Sequence, residues 1–150
     1  MKPTILLAED DPGDALLFEL AVAKVLADVS LRFVRDGQEA IDYLQGLGCF
    51  ADRVSFPLPS MMVLDLKLPS VKGLEVIAWV RRQPDLRQMP IVVLTGSDEL
   101  GDMKRAHELG ADCCFLKPST SEDLADLVKG LRRRLGELVE ASCPSGAGPG

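Results

Sequence analysis

Met62-Val63-Leu64-Asp65-Leu66-Lys67-Leu68-Pro69 is a short apolar run that stops on a carboxylate and, four residues later, on a proline. Pro69 has no N–H for a strand ladder, so the chain cannot simply run on as sheet. Continuous apolar runs of this length suit strands of a parallel sheet, which are covered on both faces. Asp65 is then expected at the carboxyl end of its strand, half out of the core, where open α/β sheets keep their chemistry.

Working outward from this stretch, the same pattern recurs. Ile5 to Ala8 is apolar and ends in Glu9-Asp10-Asp11, followed by Pro12-Gly13 and a helical run in which Leu16, Leu17, Leu20, Ala21 and Val25 make the expected inner face. Leu31 to Val34 breaks at Asp36-Gly37 before a helix facing inward through Ala40, Ile41 and Leu44. Gly46 to Ser60 has glycines and prolines but no period, and reads as a long loop into the strand that delivers Asp65. Gly73 opens a helix with Leu74, Ile77 and Val80 inward, and Ile91 to Leu94 is a strand ending at Thr95-Gly96-Ser97. A more polar helix through Met103, Ala106 and Leu109 closes at Gly110, and Cys113 to Leu116 ends at Lys117-Pro118. A last helix starts at Thr120 or Ser121.

Five strands alternating with five helices predict an α/β fold: a flavodoxin-like, doubly wound, five-stranded parallel sheet in strand order 2-1-3-4-5. Residues 1–141 form one domain in this reading, and 142–150 a disordered Gly/Pro/Ser tail. The chain length and a hydrophobic content of 47% suffice for a single core. A net charge of −6 argues against direct binding to nucleic acid or to an anionic membrane. The N-terminus holds too few apolar residues before Glu9 for a leader or a span, and the location read from this is cytoplasmic. The four cysteines lack disulfide-framework or zinc spacing and read as incidental thiols.

All strand ends of one sense lie on one edge of a parallel sheet, so Glu9, Asp10, Asp65, Thr95 and Lys117 are expected to converge. Close carboxylates repel unless a cation joins them, and oxygen ligands select a hard ion, Mg²⁺ or Mn²⁺. Glu9, Asp10, Asp65 and the backbone carbonyl of Lys67 make the candidate ligand set. Asp65 is suited to attack phosphorus, Lys117 to neutralise the transferred group and Thr95 to offer it a hydrogen bond. Each of these alone has a plainer reading, a helix cap, a loop cap or a surface cation; their joint placement carries the argument. Asp11 is left out of the ligand set as a solvent-facing acid.

Leu6-Leu7-Ala8-Glu9-Asp10, Leu64 to Pro69 with Gly73, Leu94-Thr95-Gly96-Ser97 and Phe115-Leu116-Lys117-Pro118, in this order, resemble the receiver domains of two-component response regulators. The resemblance covers roughly Lys2 to Arg134. It implies Asp65 as phosphoacceptor, Glu9 and Asp10 as metal-site acids, Thr95 as the switch hydroxyl and Lys117 as the family's lysine. It also implies that Lys67 and Ser97, two positions after Asp65 and Thr95, tune dephosphorylation. The Asp-Pro after the acids, the long loop and Gln83 to Pro90 are most similar to stand-alone regulators that partner phytochrome-type histidine kinases. One position departs from the family: Cys114 stands three residues before the lysine, where an aromatic residue is usual, and Phe115 falls on the opposite strand face.

The function expected is therefore a non-enzymatic, single-domain response regulator, phosphorylated on Asp65 by a histidine kinase with Mg²⁺ and signalling to an unidentified downstream protein. The alternatives are a receiver-fold module that binds partners without phosphorylation, and an aspartate-nucleophile phosphohydrolase. The second would want an Asp where Lys67 stands. Leu124, Val128, Leu131, Leu135 and Leu138 alternate spacings of four and three, a heptad seam that reads either as a homodimer or partner surface or as packing on the sheet.

Overall fold

A computed structural model describes residues 3–96 and 100–142, with side chains described for 3–96 and 101–135. The chain alternates β1 (Thr4–Ala8), α1 (Pro12–Val25), β2 (Ser30–Val34), α2 (Gly37–Gln45), β3 (Met61–Leu64), α3 (Gly73–Arg82), β4 (Ile91–Thr95), α4 (Leu100–Leu109), β5 (Cys113–Leu116) and α5 (Ser121–Ser142). All strand pairs are parallel and the order is 2-1-3-4-5, as the sequence predicts. The fold is flavodoxin-like, and the strand order reverses between β1 and β3, where the first and third strands end side by side.

The central strands are buried on both faces, and alternate residues build two cores. Leu6, Ala8, Met62, Leu64, Ile91 and Val93 pack with α2, α3 and α4, while Ile5, Leu7, Met61, Val63, Val92 and Leu94 pack with α1 and α5. None of the described helices is long and apolar enough to cross a membrane.

Two sequence expectations change. In α1 the buried residues are Phe18, Ala21 and Val22, whereas Leu16, Leu17 and Leu20 are 53%, 49% and 57% exposed. The helix is apolar around most of its circumference, so the 3.6-residue period did not select a face. In α5, Val128, Leu131 and Leu135 are buried in the same core as α1, with Leu124 partly buried beside them. For these residues the seam is packing within the domain, and a dimer contact through them would have to open that core; the side chain of Leu138 lies outside the described residues. Helix α5 runs through Ser142, and the remainder of the expected tail is outside the described residues. Its N-cap is Thr120, whose hydroxyl accepts the Asp123 N–H at 3.0 Å.

The long connection before β3 is more ordered than its composition suggests. Arg53 donates to the carbonyls of Tyr43, Leu44 and Phe56 at 2.8, 2.9 and 3.1 Å, satisfying the frayed end of α2. Tyr43, Phe50 and Phe56 stack edge-on or tilted beneath it, with centroids 5.1 to 6.0 Å apart. Similarly, Arg81 of α3 donates to the carbonyls of Met89 and Gly110 and pairs with Asp112, tying together the loops that enter β4 and β5.

Candidate functional site

Asp65 follows the last residue of β3, and its N–H bonds the Ala8 carbonyl at 3.1 Å, continuing the ladder to β1 for one more step. That bond fixes the residue at the sheet edge with only 7% of its surface exposed. One carboxylate oxygen accepts the Lys67 N–H at 3.1 Å, which turns the chain away from the sheet. The loop beyond is pinned by burial of Leu66 and Leu68 and by Gly37 N–H to the Pro69 carbonyl. Ser70 holds a positive φ of 61° in it.

Gly73 starts α3 directly against this loop. A Cβ there would lie 2.6 Å from Leu66 Cα and 2.7 Å from the Asp65 carbonyl oxygen, so only glycine lets the helix approach.

Glu9 and Asp10 follow β1. Glu9 is buried, 8% exposed, its N–H bonded to the Val34 carbonyl and its Oε2 accepting the Asp11 N–H. Asp10 is exposed. Carboxylate oxygens of Glu9, Asp10 and Asp65 lie within 4.8 Å of one another, so the three acids expected to share a cation come together. Asp11 is instead the N-cap of α1, accepting from Gly13 and Asp14, and stays outside this group.

Lys117 follows β5 by one residue, and its N–H bonds the Thr95 carbonyl at 2.8 Å. Its ammonium lies 3.0 Å from Asp65 Oδ2, 3.0 Å from Glu9 Oε1 and 3.0 Å from Asp14 Oδ2. Burial alone would lower its pKa, but the hydrogen bonds to Asp65, Asp14 and Glu9 outweigh that and raise it. Glu9 goes the other way from an ordinary carboxyl: burial pushes it up to about 7, against the lowering bonds from Lys117 and the Asp11 N–H. Asp14 was legible only as a helix-start acid; that it reaches across to Lys117 depends on how α1 and the end of β5 meet.

Thr95 is the last residue of β4 and fully buried, beside β3 in the sheet. Ser97 lies outside the described residues. Cys114 packs against the α4 side, its thiol 3.7 Å from the Met103 carbonyl, while Phe115 lines an open groove along α5. The two therefore do face opposite ways, as the period of two predicts. Burial pushes both the Cys113 and Cys114 thiols up, which keeps them as protonated packing groups.

Three oxygen donors of this kind fit a hard divalent cation, and the raised Glu9 carboxyl marks a cluster whose charge one lysine only partly offsets. Fold and site define a doubly wound α/β protein that presents a buried aspartate, two further acids and a lysine at its topological switch point.

The chain belongs to the response regulator receiver domain family, which matches residues 5–129. It is 35% identical over 127 residues to response regulator Rcp1 of Synechocystis sp., covering 85% of this chain and 84% of that one. Among solved structures it is similar to the phosphorylated cyanobacterial phytochrome response regulator RcpA, with a TM-score of 0.79 and 33% identity over 87% of this chain and 91% of that one. The Mn²⁺-bound form of Rcp1 superposes with a TM-score of 0.76 at 35% identity, covering 86% of this chain and 91% of that one.

Proposed function

We propose that this receiver domain is a phosphorylation-dependent signalling protein whose phosphoacceptor is Asp65. The observation that carries the reading is the placement of one Asp65 oxygen on the Lys117 ammonium, 3.0 Å away, beside the Glu9 and Asp10 carboxylates. A carboxylate so held is a positioned nucleophile for an in-line displacement. Its oxygen forms a bond to phosphorus, the phosphorus–nitrogen bond of a phosphohistidine breaks, and the electron pair leaves on the imidazole. Lys117 then exchanges Asp65 Oδ2 for a phosphoryl oxygen, and Thr95 supplies a hydroxyl hydrogen bond to another.

Glu9, Asp10, Asp65 and the Lys67 carbonyl are the residues that would hold Mg²⁺, with Mn²⁺ as a substitute. The ion, when bound, offsets the charge of the incoming phosphoryl oxygens. Lys67 and Ser97 are the positions that tune hydrolysis of the acyl phosphate. The protein itself turns over no small-molecule substrate in this reading.

The phosphodonor is a histidine kinase, and the similarity to Rcp1 and RcpA supports one of the phytochrome type. Output passes through cytoplasmic protein contacts that depend on phosphorylation. The test is native mass spectrometry after incubation with acetyl phosphate. A Mg²⁺-dependent gain of one phosphoryl mass is expected in the parent and not in Asp65→Asn. A parent that gains nothing, or an adduct that survives in Asp65→Asn, refutes the assignment.

A further inference from the structure

Lys117 is held by three carboxylates, and they are not equivalent. Glu9 and Asp65 belong to the candidate metal set, whereas Asp14 does not. Asp14 stands in the first turn of α1, its N–H bonded to Asp11, and its side chain is 42% exposed, so nothing in helix formation requires it to point at Lys117. Yet its Oδ2 lies as close to the ammonium as the phosphoacceptor does, at 3.0 Å. The pair borders a cavity of about 50 Å³, whose lining also includes Glu9, Leu94, Pro118 and Leu124. A flexible lysine that lines a cavity can shift among its partners without repacking the core.

We propose that Asp14 is a positioning residue that competes with the phosphoryl group for Lys117 and so limits how tightly the phosphorylated state is held. The inference rests on the function proposed above. When Asp65 carries a phosphoryl group, its Oδ2 no longer presents a free carboxylate to Lys117, and Glu9 is shared with the cation. Asp14 is the one partner left unchanged by either event. Every bond it retains to the ammonium is a bond withheld from a phosphoryl oxygen. Since Asp14 is partly solvated, its hold is that of a half-exposed ion pair, and a change of a few-fold is the scale to expect.

The experiment titrates the metal-loaded protein with beryllofluoride, which stands in for the phosphoryl group, and follows binding by isothermal calorimetry. Asp14→Asn, and Asp14→Ser as a second residue that helix starts accept, should tighten beryllofluoride binding about two- to five-fold. They should lengthen the acetyl-phosphate-derived phosphoryl lifetime in the same proportion. Asp14→Glu should stay near the parent, and Glu19→Gln, which removes an equal charge from the same helix away from Lys117, should not tighten binding. A merely structural role for Asp14 would weaken binding, not tighten it. Unchanged or weaker binding in both Asp14→Asn and Asp14→Ser overturns the inference, as does equal tightening by Glu19→Gln. A parent that binds no beryllofluoride refutes the proposed function itself, and this inference with it.

Discussion

Replacing Lys117 by methionine keeps the length of the stem and deletes the cation, leaving Glu9, Asp65 and Asp14 facing one another without it. Removing one partner of a buried pair costs about 3–5 kcal/mol because a charge stays behind uncompensated. Here the cost falls to or below the bottom of that range for two reasons. Lys117 is 28% exposed, and Asp14 is nearly half exposed, so water recovers part of what is lost. Glu9, already pushed up to about 7, can take a proton and cease to need a partner. Asp65 is the group left without relief, being 7% exposed, so the expected loss is about 2–3 kcal/mol in metal-free protein near pH 8. At about 2–4 °C per kcal/mol for a chain of this size, the melting temperature should fall by about 5–10 °C. The sign with pH follows from Glu9. Its folded-state pKa is pushed up to about 7, and without Lys117 it rises further, so between the ordinary carboxyl range and that raised value the folded variant binds a proton that the unfolded chain lacks. The deficit relative to the parent should shrink as pH is lowered from 8 to 6. Differential scanning calorimetry in the presence of a chelator measures both quantities. A loss under about 2 °C at pH 8, or a deficit that grows on acidification, would refute the picture of one ammonium offsetting buried carboxylates.

Two further expectations concern the frame around the site. Gly73→Ala places a Cβ within 2.7 Å of two backbone atoms of the Asp65 loop, so α3 or the loop must move; a loss of about 1–3 kcal/mol on chemical denaturation should accompany slower labelling by acetyl phosphate. Arg53→Ala strips charged donors from two carbonyls at the end of α2 and from that of Phe56 in the following loop and should cost about 2 kcal/mol in urea, while labelling of Asp65 is unchanged because Arg53 lies at the other end of β3; labelling that falls with stability retained would contradict that separation.

The sheet was legible because a buried parallel strand is written in few letters. Ile5 to Ala8, Met61 to Leu64 and Ile91 to Leu94 are apolar on both faces, and no helix or hairpin accommodates such runs so briefly. Their order then put Glu9, Asp10, Asp65, Thr95 and Lys117 on one edge. What the letters did not carry was choice among equivalent faces. In α1, apolar residues occur at almost every angle, and only packing against the sheet and α5 selects Phe18, Ala21 and Val22 over Leu16, Leu17 and Leu20. The seam of α5 is ambiguous for the same reason, since a heptad spacing suits a neighbouring helix whether it belongs to this chain or another. Arg53 and Arg81 were missed because long side chains that bond carbonyls leave no period and no motif. Asp14 was missed because its partner lies 103 positions away.

The charges at the site also order the events proposed for it. Three carboxylates, Glu9, Asp14 and Asp65, share one ammonium, with Asp10 beside Glu9 and Asp65, and the Glu9 carboxyl is pushed up to about 7. A phosphoryl group brings further negative charge to the same place, and a lysine already divided among three acids cannot offset it alone. In the function proposed above, Glu9, Asp10 and Asp65 would hold the divalent ion before phosphoryl transfer, and its charge would compete with a proton on Glu9. Lys117 would then exchange Glu9 and Asp65 for the transferred group, with Asp14 as its remaining rival. The Lys117 N–H is bonded to the Thr95 carbonyl, so the lysine and the buried threonine share one backbone link. With Cys114 beside α4 in place of a ring, the surface we propose to report the phosphorylated state is the end of β4 and β5, where Leu116 pairs with Thr95 and is 47% exposed.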